Sequence, residues 1–193
     1  PQKGGALERG EWLRQGRPQI ELQVSRVESD TWNFFKKHHY LTEQVNKSCK
    51  FFLFEWNDKP VGICAVINQP RGDCPNGFAL SRTVVLPDFQ GMGIGSKISE
   101  FCAAMFVEIG GKVYTKTVNP ALGEYRNKSD KFRPTSMNGK TRHNSSKKSD
   151  SSAKNRLERA SYCHEYIGEG ISGYKELLKP IKEMREAKSL TLF

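Results

Sequence analysis

The sequence predicts an α/β fold, an α+β mixed sheet that is mostly antiparallel and flanked by helices on both faces. Three observations carry that prediction. The 193 residues are enough to bury one core, and 36% hydrophobic with 27% charged residues is a globular balance. Short apolar runs at strand period recur through the chain, three of them in a row without a helical segment between them. Helical spacing interrupts them at a few places, giving the order β-α-β-β-β-α-β-α-β-loop-β-α.

Residues 1–19 form the first segment, with four glycines in the first 18 positions and few apolar residues, and are expected to be flexible. Ile20, Leu22 and Val24 alternate as in a strand that runs to Val27. Ser29 or Asp30 then caps a helix carrying Trp32 and Phe35 and ending near His38-His39-Tyr40-Leu41. Cys49 to Trp56 and Val61 to Asn68 read as a hairpin joined by Asn57-Asp58-Lys59-Pro60. A further strand spans Gly77 to Leu86 and ends at Pro87-Asp88-Phe89.

Ile94, Ile98, Phe101, Cys102, Met105 and Ile109 mark one face of a helix that Gly110-Gly111 stops. Lys112 to Val118 is a strand, Pro120 to Lys128 a helical turn or two, and Phe132 to Met137 another strand. Residues 138–157 are rich in Ser, Asn and Lys, the profile of a basic loop, before an apolar-aromatic strand from Ala160 to Ile167. Tyr174, Leu177, Leu178, Ile181 and Met184 have helical spacing, with Pro180 a kink or boundary. The organisation expected is therefore a domain over 20–168 with a helix and tail over 169–193.

No apolar run approaches a membrane span, and no signal-peptide pattern opens the chain, so a soluble protein of the cytoplasm of a bacterial or phage-infected cell is expected. Five scattered cysteines without a C-x-x-C pair argue against a disulfide framework or a zinc site, and no metal is expected. The formal charge of +10 favours phosphate-bearing ligands.

One segment points to such a ligand. Gln90-Gly91-Met92-Gly93-Ile94-Gly95, continued by Ser96, places three alternating glycines between a strand and an amphipathic helix. Backbone N–H groups at a helix start converge on an anion there, and the helix dipole adds to the attraction. A tight turn without a ligand has the same spacing. A P-loop would end Gly-Lys-Ser/Thr, whereas Gly95 is followed by Ser96-Lys97. A dinucleotide loop would follow the first strand of a βαβ unit, and this one follows the fourth strand of a largely antiparallel run.

The segment resembles the pyrophosphate motif of the GNAT N-acyltransferase superfamily, [Q/R]-x-x-G-x-[G/A], preceded here by Thr83-Val84-Val85-Leu86-Pro87. The stretch Asn119 to Lys128 is similar to that family's N-x-x-A-x-x-x-Y-x-K segment, with Ala121 at a shorter interval than usual. Lys131-Phe132-Arg133 stands where the family has Gly-Phe. The resemblance implies a GNAT-like fold over about residues 20–168 and an acyl-CoA cofactor, acetyl-CoA or another. Its pyrophosphate would lie on Gln90, Gly91, Met92, Gly93, Ile94, Gly95 and Ser96, and its pantetheine arm beside Val84, Val85 and Leu86.

Acyl transfer to an amine needs a neutral nucleophile, a polarised thioester carbonyl and a proton for the leaving thiolate. By analogy with the family, a backbone N–H at Val84 or Val85 would polarise the carbonyl and Tyr125 would be the acid, the alternative being an aromatic packed on the cofactor. His38, His39, Glu124 and carboxylates of the first strands are the base candidates. His39-Tyr40 is favoured because a histidine titrates near working pH, against a surface pair at a helix end. Asn119 completes the candidate catalytic set. Arg82 stands in an otherwise apolar strand, either to bind an acceptor phosphate or to pair with a carboxylate on the sheet face.

Between Arg126 and Arg159 there are eleven Lys or Arg and three acids, 11 − 3 = +8. Such a stretch suits phosphate-backbone contact, with Arg133, Lys140 and Arg142 as substrate-binding candidates, or is a solvated insertion. His39-Tyr40, Leu80-Ser81-Arg82-Thr83 and this basic region also resemble the phage Mom DNA-modification family, which implies a DNA-base acceptor flipped from its stack. The tail Ser189-Leu190-Thr191-Leu192-Phe193 is similar to sliding-clamp docking peptides, or packs on its own core. The expected function is thus acyl-CoA-dependent transfer of an acetyl-type group to an amine of a nucleic-acid base or nucleotide. The alternatives are N-acetylation of a small amine or protein lysine, and a non-enzymatic nucleic-acid-binding module.

Overall fold

A computed structural model describes residues 20–39, 43–141, 160–181 and 188–191. Eight strands form one sheet: β1 Glu21–Val27, β2 Lys50–Trp56, β3 Lys59–Asn68, β4 Gly77–Val85, β5 Lys112–Thr117, β6 Phe132–Pro134, β7 Tyr162–Tyr166 and β8 Lys188–Thr191. Their order across the sheet is β6-β7-β5-β4-β3-β2-β1-β8. Among the described residues three helices accompany it: α1 Trp32–Phe35, α2 Ile94–Glu108 and α3 Pro120–Lys128. Every neighbouring pair is antiparallel except β4 with β5. The predicted α/β mixed sheet is therefore the fold observed. Among the described residues no helix is long and apolar enough to cross a membrane.

The β2–β3 hairpin turns on two residues, Asn57 and Asp58, both at positive φ (48° and 59°). That geometry matches the right-handed twist of the flanking strands, so Lys59 and Pro60 belong to β3 and not to the turn as expected. Helix α2 crosses one face of the sheet. Phe52, Phe54, Val66, Val113 and Tyr166 pack there with Ile94, Ile98, Phe101, Met105 and Phe106, whereas Trp32, Phe35, Phe51, Ile63, Ala65 and Val84 form a smaller core on the other face. All five cysteines are free and buried.

Four expectations need correction. Ser29 and Asp30 do not cap the first helix; they lie inside a 3₁₀ turn that leads into α1, whose N-cap is Thr31, without a side-chain cap bond. Ile109 sits beyond α2 and is exposed, because the chain already turns at Gly110 with φ +80°. The strand from Phe132 stops at Pro134, after which Asn138 N–H bonds the carbonyl of Thr135 in a turn. The C-terminal helix is absent from the described residues: a 3₁₀ turn, Lys175–Leu178, buries Leu177, and Pro180 cannot continue it. The last described residues form β8, which pairs Leu190 with Leu22 on β1, so Leu190 and Thr191 of the clamp-like tail are strand residues. Leu192, Phe193, most of the basic loop and residues 1–19 lie outside the described residues.

The feature that positions the site is the parting of β4 and β5. They pair only from Gly77 with Lys112 to Leu80 with Thr115. At that point the β3–β4 register skips a residue, Val66 facing Leu80 and Ala65 facing Arg82, so Ser81 is a bulge. A bulge bends its strand and increases local twist. Beyond it β4 diverges from β5, and the backbone from Arg82 to Val85 keeps its partner on the β3 side alone.

Candidate active site

A cleft of about 590 Å³ opens where the strands part. Thr83, Val84 and Val85 form one wall, Thr117 and Asn119 the facing one, α3 supplies Ala121, Leu122 and Tyr125, and the segment into α2 supplies the floor, Phe89 to Gly91 and Gly93 to Ser96. His38 and His39 close the end nearest α1.

The glycine loop has the geometry of an anion cradle. Gly91 and Gly93 hold φ of +81° and +79°, a left-handed conformation that side-chain-bearing residues rarely adopt. Gly93 is the N-cap of α2, and Lys97 is the first residue whose N–H reaches back to it, at 3.3 Å. The N–H groups of Ile94, Gly95 and Ser96 come before the first helical donor, Lys97, and all three residues line the cleft. Gln90 fastens the loop to the strand, its Nε2 donating to the Val85 carbonyl at 2.8 Å. The helix dipole places a partial positive charge at the same point.

Tyr125 faces the cleft from α3, and its hydroxyl donates to Oε1 of Glu100, a buried residue of α2. Burial, then the hydrogen bond and charge of Glu100, push its phenol up to about 12. Lys131 Nζ holds the other carboxylate oxygen at 3.0 Å, and that bond raises the lysine pKa. Asn119 has a structural duty as well, since its Oδ1 caps α3 by accepting the Leu122 N–H at 3.3 Å. Its neighbour Ala121 lines the cleft four residues before Tyr125, so the shortened interval leaves both on the same helical face.

The model of the acetyltransferase (GNAT) family matches residues 17–126. The chain belongs to the GNAT acetyltransferase family. As a member, it is an acyl-CoA-dependent N-acetyltransferase with acetyl-CoA or another acyl-CoA as cofactor. No curated protein matches it. Among solved structures, an IAA acetyltransferase from Bacillus cereus is 15% identical and covers 75% of this chain and 98% of its own, with a TM-score of 0.54. The ribosomal-protein-S18-alanine N-acetyltransferase from Escherichia coli is 13% identical over 79% and 96%, with a TM-score of 0.52. A GNAT family acetyltransferase from Elizabethkingia anophelis, solved with acetyl-CoA bound, is 14% identical over 75% and 97%, with a TM-score of 0.53. At these identities the likeness is one of fold.

The residues of this GNAT cleft fit a CoA thioester: a left-handed glycine cradle at a helix start lies beside a strand edge with open backbone groups. Of the residues the sequence picked out, Val84, Val85, Gln90, Gly91, Gly93, Ile94, Gly95, Ser96, Asn119, Tyr125 and His39 come together there. Leu86 and Met92 do not line the cleft; Leu86 packs on the smaller core and Met92 on the main one. Val84 contributes backbone only, since its side chain is buried in the smaller core. Arg133 does not reach the cleft but pairs with Glu165 at 2.9 Å on the sheet surface. Lys140 sits beyond β6, bridged to Ser161. Tyr40 and Arg142 lie outside the described residues.

Arg82 lies next to the cleft and makes no carboxylate pair among the described residues; it donates to the carbonyls of Ser81 at 2.8 Å and Gln44 at 3.1 Å. Sequence reading missed Glu100, Thr83, Thr117 and Leu122. A carboxylate as the one charged residue in the stretch Ile98 to Phe106 was the available signal for Glu100.

Proposed function

We propose that this acetyltransferase passes an acetyl-type group from an acyl-CoA to an amine of a nucleic-acid base or nucleotide. The observation that carries the acceptor class is where the basic segment is rooted. Lys140 and Ser161 bridge its two ends, and Tyr162, the next residue, pairs with Thr117 in the cleft wall. Residues 142–159 hold six Lys or Arg against two acids, so a polyanion drawn to them is delivered at the mouth of the cleft. The Mom-like resemblance of His39-Tyr40 and Leu80 to Thr83 supports the same class.

In this reading Gly91, Gly93 and the N–H groups of Ile94 to Ser96 hold the pyrophosphate, and the open edge from Thr83 to Val85 takes the pantetheine arm. Bound there, the CoA thioester supplies the activated acyl group. A backbone N–H of Val84 or Val85 stabilises the carbonyl oxygen as negative charge develops on it. His39, its ring edge-on to Trp32 at 5.8 Å, takes the proton lost by the attacking amine. Tyr125, kept protonated by burial and by Glu100, turns its hydroxyl from that carboxylate to give its proton to the leaving thiolate, and the phenolate so formed is reprotonated by solvent entering the open cleft.

Mass spectrometry of DNA, RNA and nucleosides after incubation with protein and acetyl-CoA tests the proposal. An acetyl-sized increment on a base supports it. Increments confined to proteins or small amines transfer the acceptor to those classes, and acetyl-CoA consumption unaffected by deleting residues 142–159 removes the argument from charge.

A further inference from the structure

A second, smaller cavity of about 50 Å³ continues the cleft through the parting of the strands, and its lining is one-sided in charge. It shares His39, Thr83, Thr117 and Leu122 with the cleft. Arg82, Lys116 and Arg126 also line it, together with Ser81 and Thr115, and no carboxylate among the described residues does. The cations come from both faces of the sheet. Arg82 on β4 and the exposed Lys116 on β5 stand on the α1 side, while buried Arg126 reaches in from α3, its guanidinium 5.3 Å from the centre of the Phe132 ring.

Two of the lining groups have hydrogen-bonding capacity left over. Thr115 is 4% exposed, yet its Oγ1 meets no partner among the described residues, and the buried Nε of Arg82 meets none either. A buried hydroxyl and a buried guanidinium N–H left without acceptors cost free energy that an anion in the cavity would recover. The volume has room for about three or four waters, or for a carboxylate with a short carbon stem.

We infer that this cavity is an anion subsite, built to receive a carboxylate or phosphate that a substrate carries a few bonds from the reacting carbonyl or amine. The inference rests on acyl-CoA occupying the cleft, because the shared residues Thr83 and Thr117 stand at the end away from the glycine loop, where the acyl group would lie. The anion has two sources with the same chemistry: the acyl chain of an acidic acyl-CoA, or the acceptor.

Calorimetry on the full chain separates them. In the first arm acetyl-CoA and succinyl-CoA are titrated into wild type, Arg82→Gln and Thr115→Val. A donor-borne anion gives succinyl-CoA an advantage of about tenfold or more, erased in Arg82→Gln and reduced in Thr115→Val, with acetyl-CoA affinity unchanged. In the second arm protein saturated with CoA is titrated with inorganic phosphate; phosphate binding that Arg82→Gln abolishes assigns the site to the acceptor. Circular dichroism confirms that each variant is folded, and Arg82→Lys replaces Arg82→Gln if the latter is not. Equal affinity for both thioesters together with no Arg82-dependent phosphate binding overturns the inference. Failure of wild type to bind acetyl-CoA at all overturns the cofactor assignment of the cleft instead, and the phosphate arm, run without CoA, then decides the subsite alone.

Discussion

The hydroxyl of Tyr125 on α3 donates to a carboxylate oxygen of Glu100 on α2, and Lys131 holds the other oxygen at 3.0 Å. Three segments meet in that contact, and it fixes the one phenol among the described residues that lines the cleft. Glu100 is 5% exposed, so its charge acts in a poorly solvated place and its pairing with Lys131 is what keeps it tolerable there.

Replacing Glu100 by Gln removes the charge that helps hold the Tyr125 proton. The phenol, at about 12 in the native protein, then titrates at lower pH. The sign follows from linkage: a pKa raised on folding favours the folded state below the ordinary phenol value of about 10, and that advantage is lost as pH rises through 12. Phenolate absorbance followed against pH should show the titration of Tyr125 moving down in Glu100→Gln. Tyr125→Phe should lower acyl transfer by about 10²-fold or more with acetyl-CoA affinity little changed, because the hydroxyl is needed only when the thiolate leaves. An unchanged rate in Tyr125→Phe would remove it from the chemistry.

The cradle is equally open to test at Gly93. Its φ of +79° costs about 1–2 kcal/mol for a residue with a Cβ, so Gly93→Ala should lower the melting temperature modestly. Gly93→Glu adds a carboxylate at the place where phosphate charge is to be held. Acetyl-CoA affinity measured by calorimetry should fall at least tenfold, each tenfold being about 1.4 kcal/mol. Retained affinity in Gly93→Glu would sink the assignment of this loop to the cofactor.

The pattern of strands and the glycine loop was legible in the sequence because both are local. Alternation in Glu21–Val27 and the Gly91-Met92-Gly93 spacing need no tertiary contact to be read. The C-terminus was not legible, since Tyr174, Leu177, Leu178 and Ile181 have helical spacing that Pro180 breaks, and the pairing of Leu190 with Leu22 spans most of the chain. Glu100 was hidden for the same reason: its partners Tyr125 and Lys131 lie 25 and 31 residues away. Arg82 was visible as an anomaly, but only the bulge at Ser81 explains where it points its charge.

The core under α2 should carry much of the stability. Phe106 is 1% exposed and meets Phe52 edge-on at 6.1 Å and Phe78 at 4.6 Å. Truncation leaves a cavity in a face already packed from both sides, so Phe106→Ala should cost about 3–5 kcal/mol in denaturant unfolding. A loss below 1 kcal/mol would mean that the neighbouring rings close the gap.

His164 offers a prediction on pH. It is fully buried on β7, its Nε2 lies 2.8 Å from Asn127 Oδ1, and burial first, then the charge of Arg126, lower its pKa. The Asn127 oxygen also accepts from Asn138 Nδ2, so the histidine donates through Nε2. A depressed folded pKa means that the unfolded chain takes up a proton first. Stability contributed by the neutral ring is therefore present above about pH 6.5, the ordinary histidine value, and is lost as pH falls toward the lower folded value. Urea unfolding at pH 7.5 and 5.5 should show wild type losing more stability over that interval than His164→Gln, which keeps an amide donor for Asn127 and cannot charge. Equal losses in the two proteins would assign the acid sensitivity to other groups.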